Sequence, residues 1–214
     1  MGKVETNKMQ KLNALLSTAY ELFTTKGVNK TSIDEISKAA GVAKGTFYLY
    51  FKDKYDIRNK LISHESSRLF RRAKTALDEY QIQTKQFEFS DQIIFIADYV
   101  INELTKNPSL LKFIAKNLSW GVFKQALTKN LDSEDINFEE VFYEMINEAE
   151  KEICAPELMI YQIIELVSST VYSSILYEEP VDIETFKPYI YQSIRTIIAN
   201  HQSGCEKYEI KFKS

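Results

Sequence analysis

Apolar residues recur at spacings of three and four along nearly the whole chain, the period of an amphipathic helix. Leu12, Leu15, Leu16, Ala19 and Phe23 place one such face on residues 8–26. Gly27 follows Lys26 and reads as the left-handed residue that stops this helix. Thr31 and Ser32 then offer N-caps, with Asp34 and Glu35 close behind. Ile33, Ile36, Ala39 and Ala40 carry a short helix to Gly41, and a three-residue turn leads to a second short helix at about 44–51. A helix, a tight glycine turn and a second helix are the outline of a helix-turn-helix.

The same period predicts a long helix from Asp53 towards Tyr80, with Arg68, Arg71, Arg72 and Lys74 on its outer face. Residues 81–90 break the period and read as a loop. Helices are expected over 91–106, 108–117, 119–130, 136–152, 157–177 and 185–201. Asn107–Pro108 reads as an N-cap with proline at the first helical position, and Pro156 also fits an early position. Pro188 would break a helix capped at Asp182, so the last helix is expected to start near Thr185 or to kink. The fold class is therefore all-α.

Composition narrows the class. The chain has 214 residues, 44% of them hydrophobic, which is enough for a sizeable core without staples. No run of eighteen apolar residues suggests a membrane span, and the N-terminus lacks the apolar stretch of a signal peptide. Cys154 and Cys205 are the two cysteines and form no CxxC pair, so a disulfide framework is not expected and a reducing cytoplasm is the natural setting. His64 and His201 are isolated, and no metal site or cofactor is expected. No GxSxG, P-loop or GxGxxG supports an enzyme.

The net charge of −3 conceals an asymmetry. Residues 1–60 hold 11 basic and 6 acidic residues, whereas the rest holds 16 basic and 24 acidic ones. A basic head on an acidic body suggests that the head meets a polyanion. The stretch AGVAKGTFYLYFKDK, residues 40–54, lies in this head. On a helix at 44–51, Phe47 and Phe51 are four apart and point inward. Lys44, Gly45, Thr46, Tyr48 and Tyr50 then suit the major groove of DNA. Gly45 lets backbone come close, Lys44 reaches a base edge or phosphate, and Thr46 and the tyrosine hydroxyls reach phosphates. Lys54, Thr31 and Ser32 stand at helix starts, where phosphate also binds.

Residues 19–57, AYELFTTKGVNKTSIDEISKAAGVAKGTFYLYFKDKYDI, resemble the DNA-binding domain of the TetR family of transcriptional regulators. The shared features are LF-x-x-KG, TS-x-x-x-I, AGV, KGT and Y-x-YF-x-x-K. The resemblance implies an all-α homodimer, with a DNA-binding domain over residues 1–53 and an effector-binding and dimerisation domain over 54–214. It carries DNA contact to Thr31, Ser32, Lys44, Gly45, Thr46, Tyr48, Tyr50 and Lys54. Leu49 departs from the pattern, standing where the family often has Trp, Tyr or His.

The last two helices carry apolar faces through Ile160, Ile164, Val167 and Val171, and through Ile194 and Ile198. In the family this pair forms the dimer bundle, so those six are the expected interface; an ordinary intrachain core is the alternative. Phe95, Tyr99, Phe113, Trp120, Phe123, Phe142 and Tyr143 concentrate rings in the middle helices, either as core or as the lining of a site for an apolar or aromatic effector. The expected protein is a cytoplasmic, ligand-responsive repressor with double-stranded DNA, a small-molecule effector and a second copy of itself as partners, and no membrane. A helical interaction protein of the same fold, working through a protein partner, is the alternative.

Overall fold

A computed structural model describes residues 3–83, 87–115 and 138–202. Among them are nine helices and no strand: α1 (Lys3–Thr25), α2 (Ile33–Ala39), α3 (Lys44–Tyr50), α4 (Lys54–Gln83), α5 (Phe89–Lys106), α6 (Pro108–Ala115), α7 (Phe138–Asn147), α8 (Pro156–Tyr177) and α9 (Ile183–Gln202). The helix expected over 119–130, which carries Trp120 and Phe123, lies outside the described residues, as does Cys205.

The described residues form two compact units. The first takes residues 3–72 and 103–115, the second 73–83, 87–102 and 139–202. The boundary expected after residue 53 is not where the units divide. The first turns of α4 supply Ile57, Leu61 and Leu69, all buried, so this helix belongs to the first unit for most of its length.

In the first unit, Leu15, Ala19 and Phe23 of α1, Ile36 of α2, Phe47 of α3 and Ile57 of α4 are buried. Gly27 ends the α1 segment with φ 86°, the left-handed conformation for which glycine carries no Cβ penalty. Asn107 caps α6, its Oδ1 accepting the Leu110 N–H at 3.1 Å. From α6, Phe113 packs edge-on against Tyr20 at 5.6 Å and stacks on Phe23 at 6.3 Å. Phe113 is thus a core residue of the first unit, only 3% exposed, and not the effector-lining ring expected. Its neighbour Tyr20 has a raised pKa, because burial disfavours the phenolate and Glu65 adds repulsion.

In the second unit α8 and α9 pack on each other. Met159, Ile160, Ile163, Val171 and Ser174 line the buried side of α8; Ile183, Ile190, Ile194 and Ile198 line that of α9. This corrects the expected interface. Ile160, Val171, Ile194 and Ile198 are buried within one chain, and Ile164 and Val167 are half-buried. A helix of either kind shows one dominant apolar stripe in its sequence, and here that stripe is used inside the subunit. Opposite it on α8 stand Leu158, Tyr161, Ser169 and Tyr172, exposed or half-exposed. Among the described residues α8 alone is long and apolar enough to cross a bilayer by length and composition.

The two ends of this helix pair are tied. The Cys154 N–H donates to the His201 carbonyl at 2.8 Å, and His201 Nδ1 lies 2.6 Å from the Cys154 carbonyl. Cys154 itself is disulfide-bonded, where no disulfide framework was expected. Asp182 caps α9, accepting the Thr185 N–H at 3.0 Å and its hydroxyl at 2.6 Å. The helix therefore starts before Thr185, and Pro188 sits inside it. Pro188 and Glu184 are both exposed, so the carbonyl released by the missing N–H stays open to water and the proline is tolerated.

Polar groups fix α5 against α9. The Lys187 side chain is 10% exposed and donates to Asn102 Oδ1 at 2.6 Å and Glu184 Oε1 at 2.7 Å, with Asp98 at 3.4 Å. The Tyr191 hydroxyl donates to Asp98, and burial together with that carboxylate pushes its pKa far up. Arg195 pairs with Asp91 at 2.8 Å. Replacing Lys187 by Met should lower stability by about 1–3 kcal/mol, since Asp98 and Asn102 lose a charged partner but keep some solvent. The midpoint of urea denaturation checks this; an unchanged midpoint would show that α5 and α9 are held by apolar contacts alone.

Candidate nucleic-acid interface

The α2–turn–α3 segment is assembled from local rules. Ser32 caps α2 through a capping box: its Oγ accepts the Glu35 N–H at 3.1 Å, and Glu35 accepts the Ser32 N–H at 3.4 Å. Lys26 also pairs with Glu35, and that hydrogen bond, with the one from Ser32, holds the Glu35 carboxyl below the usual carboxylate range. Gly41 turns the chain with φ 68°. Ala43 in extended conformation then starts α3.

A seven-residue helix has no stability of its own. Two rings hold α3: Phe47 is fully buried and Phe51 is 2% exposed, with centroids 5.4 Å apart. Both were expected inside. At its C-terminal end the Lys60 ammonium donates to the Tyr50 carbonyl at 3.2 Å and lies 4.8 Å over the Phe51 ring. The following turn is closed by Asp53, which accepts the N–H groups of Tyr55 and Asp56, and by Asp56, which accepts that of Lys52 at 3.0 Å.

With Phe47 and Phe51 inside, the opposite face of α3 is bare. Lys44, Gly45, Tyr48 and Leu49 are exposed, Thr46 is half-exposed, and Lys52 just beyond the helix is exposed too. Lys44 pairs with Asp34 of α2 at 2.9 Å, and this raises its pKa; both side chains are more than half exposed, so the pair opens at little cost. Gly45 has no left-handed φ, and a methyl added there would meet no atom of the chain within 4 Å. Glycine inside a helix costs about 1 kcal/mol relative to alanine. No contact among the described residues requires it, which is the condition for an external surface that must come close.

Three expected contacts have other tasks. Thr31 is 1% exposed, and its hydroxyl donates to the Gly27 carbonyl at 3.0 Å. The Tyr50 hydroxyl donates to the Lys8 carbonyl at 3.1 Å, tying the first turns of α1 to the end of α3. Lys54 donates to the carbonyls of Val28, Asn29 and Thr31 at 3.0, 3.2 and 3.2 Å. An ammonium has three donors, and all of these hold the α1–α2 loop. Lys44, Gly45, Tyr48 and Ser32 are exposed and Thr46 is half-exposed, with Lys44 joined to α2 through Asp34. Asp34 and Lys60, which pair with or support this surface, escaped sequence reasoning because neither belongs to a recognisable motif.

In the second unit an open groove of about 600 Å³ is lined by Phe87, Ile94, Phe95, Pro188 and Tyr191, with Asp91, Asp98, Glu184 and Lys187. Of the rings expected to line an effector site, Phe95 lines this groove, and Tyr99 and Tyr143 do not. The Tyr143 hydroxyl instead reaches Glu157 at 3.5 Å. Among the described residues no group of three or more His, Cys, Asp or Glu could hold a metal ion.

The family of bacterial regulatory proteins known as tetR matches residues 15–61, which hold α2, α3 and the parts of α1 and α4 that pack on them. The HTH-type transcriptional regulator AcrR of Shigella flexneri is 47% identical over 47 residues, 22% of each chain. The HTH-type transcriptional repressor BepR of Brucella suis is 26% identical over 104 residues, 49% of this chain and 46% of that one. The chain thus spans less than half the length of these curated relatives. The structure of FadR from Bacillus subtilis in complex with stearoyl-CoA matches 88% of this chain and 98% of its own, with 16% identity and a TM-score of 0.60, a likeness of fold.

Two substitutions separate the roles. Lys54→Met should destabilise the first unit by about 2 kcal/mol, through three lost bonds to a charged group, without changing the salt dependence of DNA binding. Lys44→Ala should leave the urea midpoint within about 0.5 kcal/mol of the parent, and weaken DNA binding with a smaller salt slope. Paired denaturation and salt titrations check both; a flattened slope for Lys54→Met would return that lysine to the phosphates.

Proposed function

We propose that this chain, which carries the DNA-binding domain of the TetR family, is a homodimeric repressor released from a palindromic operator by a small effector with an apolar body. The observation that carries the reading is the bare face of α3, with a glycine that no contact among the described residues explains, near exposed lysines and a tyrosine. The repressor name of the Brucella suis relative supports the direction of control. The aromatic wall of the α5–α9 groove supports an apolar effector. The fold neighbour bound to stearoyl-CoA, a long apolar chain on a charged head, is of the same kind.

A two-state mechanism follows. Two α3 helices about 34–36 Å apart enter successive major grooves. An effector that prefers another spacing lowers DNA affinity by the ratio of its affinities for the two states, and DNA lowers effector affinity by the same factor. The second copy covers the outer face of α8, around Leu158, Tyr161, Ser169 and Tyr172. That face mixes Leu158 and two tyrosines with Glu165 and serine, and its residues are exposed or half-exposed. Small serines there allow a helix to approach closely.

Selection of bound duplexes from a random pool should return one palindromic site. Its affinity should fall steeply with salt, with a log–log slope of about −0.9 for each phosphate neutralised. Failure to enrich any sequence, with capture of a protein partner instead, would favour the interaction-protein alternative. Ser169→Arg should give a folded monomer in sedimentation that binds the palindrome weakly. Val171→Asp, by contrast, puts a charge in the subunit's own core and should unfold it, at a cost of several kcal/mol. A dimeric Ser169→Arg protein with normal DNA binding would move the interface to another face.

A further inference from the structure

Leu49 is 80% exposed, on a helix whose other large aliphatic or phenyl side chain, Phe47, is wholly buried. Helical side chains lean back over the preceding turn. For Leu49 that turn holds Gly45, four residues earlier, where a side chain would meet nothing within 4 Å. The leucine therefore stands uncovered beside a notch. The nearby Lys44, Tyr48 and Lys52 are also exposed and are polar or basic. Lys, Arg, Gln and Glu match leucine in helix propensity, so helix formation gives no reason for an apolar residue here. A single exposed leucine is unremarkable on most surfaces. On a face built to approach DNA it is a chemical constraint.

The edges of the bases in the major groove present donors and acceptors, with one apolar group, the C5 methyl of thymine. We propose that Leu49 reads a thymine methyl and is a specificity-determining contact of α3; this rests on the regulator reading above. Gly45 lets the helix backbone come close to the groove floor. Leu49, one turn further on, covers that same spot. Contact takes both the leucine and the methyl out of water without using a hydrogen bond. Lys44 and Lys52 are exposed and offer charge to nearby phosphates, the former after leaving Asp34.

Deoxyuridine differs from thymidine in the duplex only by lacking that methyl, which gives a test without altering any hydrogen bond. The site recovered by selection with the full-length protein is resynthesised with each thymine replaced in turn by uracil, in both half-sites together. At one position the parent protein should lose affinity by about fourfold per half-site, the worth of one buried methyl. Leu49→Ala should bind the thymine site more weakly than the parent and should show no further loss with uracil at that position. Because Leu49 is solvent-exposed, the variant should melt with the parent, which confirms that its loss is in the contact. If no thymine methyl matters to the parent, or if Leu49→Ala loses the same factor as the parent at every uracil, the inference is overturned while the regulator reading stands. If selection returns no site at all, both are overturned.

Discussion

The burial of Phe47 and Phe51 is the constraint on which the proposed interface depends. Seven residues cannot sustain a helix in water, so α3 exists because two rings, four residues apart, are driven into the first unit's core. Their insertion also fixes the rotation of the helix about its axis. Once both rings point inward, Gly45, Tyr48 and Leu49 must point outward. The exposed face of α3 is thus a geometric consequence of the core. The other devices around it, the Lys60 bond to the Tyr50 carbonyl and the Asp53 and Asp56 turn, stop the end of the helix from fraying and keep that rotation fixed.

Much of this was legible in the sequence because it follows from period and from local caps. The Ser32–Glu35 capping box, the left-handed Gly27 and Gly41, the Asn107 cap and the inward pair Phe47 and Phe51 are short-range features. Each depends on residues within four positions of one another. The polar side chains were less legible. Thr31, Tyr50 and Lys54 have the chemistry to bind phosphate, and at their positions the family resemblance pointed that way. What decides their use is whether a backbone carbonyl lies closer than a phosphate could. Those carbonyls belong to Gly27, Lys8 and the loop at Val28, Asn29 and Thr31, of which the Lys8 and Val28 carbonyls are 42 and 26 residues distant. A helical period carries no information about such a distance.

A related ambiguity governs α8. Its sequence is apolar nearly all round, so periodicity marks a helix but leaves open which side faces which neighbour. The dominant isoleucine stripe looked like an interface because two apolar helices at one end of the chain want cover. In the structure that cover is mutual: α8 and α9 bury their isoleucines against each other. The remaining side of α8, with its tyrosines and serines, is less hydrophobic per residue and therefore less conspicuous in a sequence. Such a surface can be solvated in a monomer and still gain from being covered, which is the property expected of an association face rather than of a core.

The groove of the second unit is lined by polar groups as much as by rings. Lys187 sits nearly buried between Asn102, Asp98 and Glu184, and Asp98 also accepts the Tyr191 hydroxyl. Two of those carboxylates and the lysine line the α5–α9 groove, so the same side chains join α5 to α9 and face any molecule that enters. A ligand that offered Asp98 or Glu184 a better partner would loosen Lys187; one that only filled the aromatic wall at Phe87, Phe95 and Pro188 would leave the network in place. The first kind acts on the joint between two helices, the second adds contacts without choosing between arrangements of them. Only a ligand that binds one arrangement better than another can shift the equilibrium between them. If the groove takes the proposed effector, the polar network is what would convert occupancy into a change of helix packing, which an apolar lining alone would not supply.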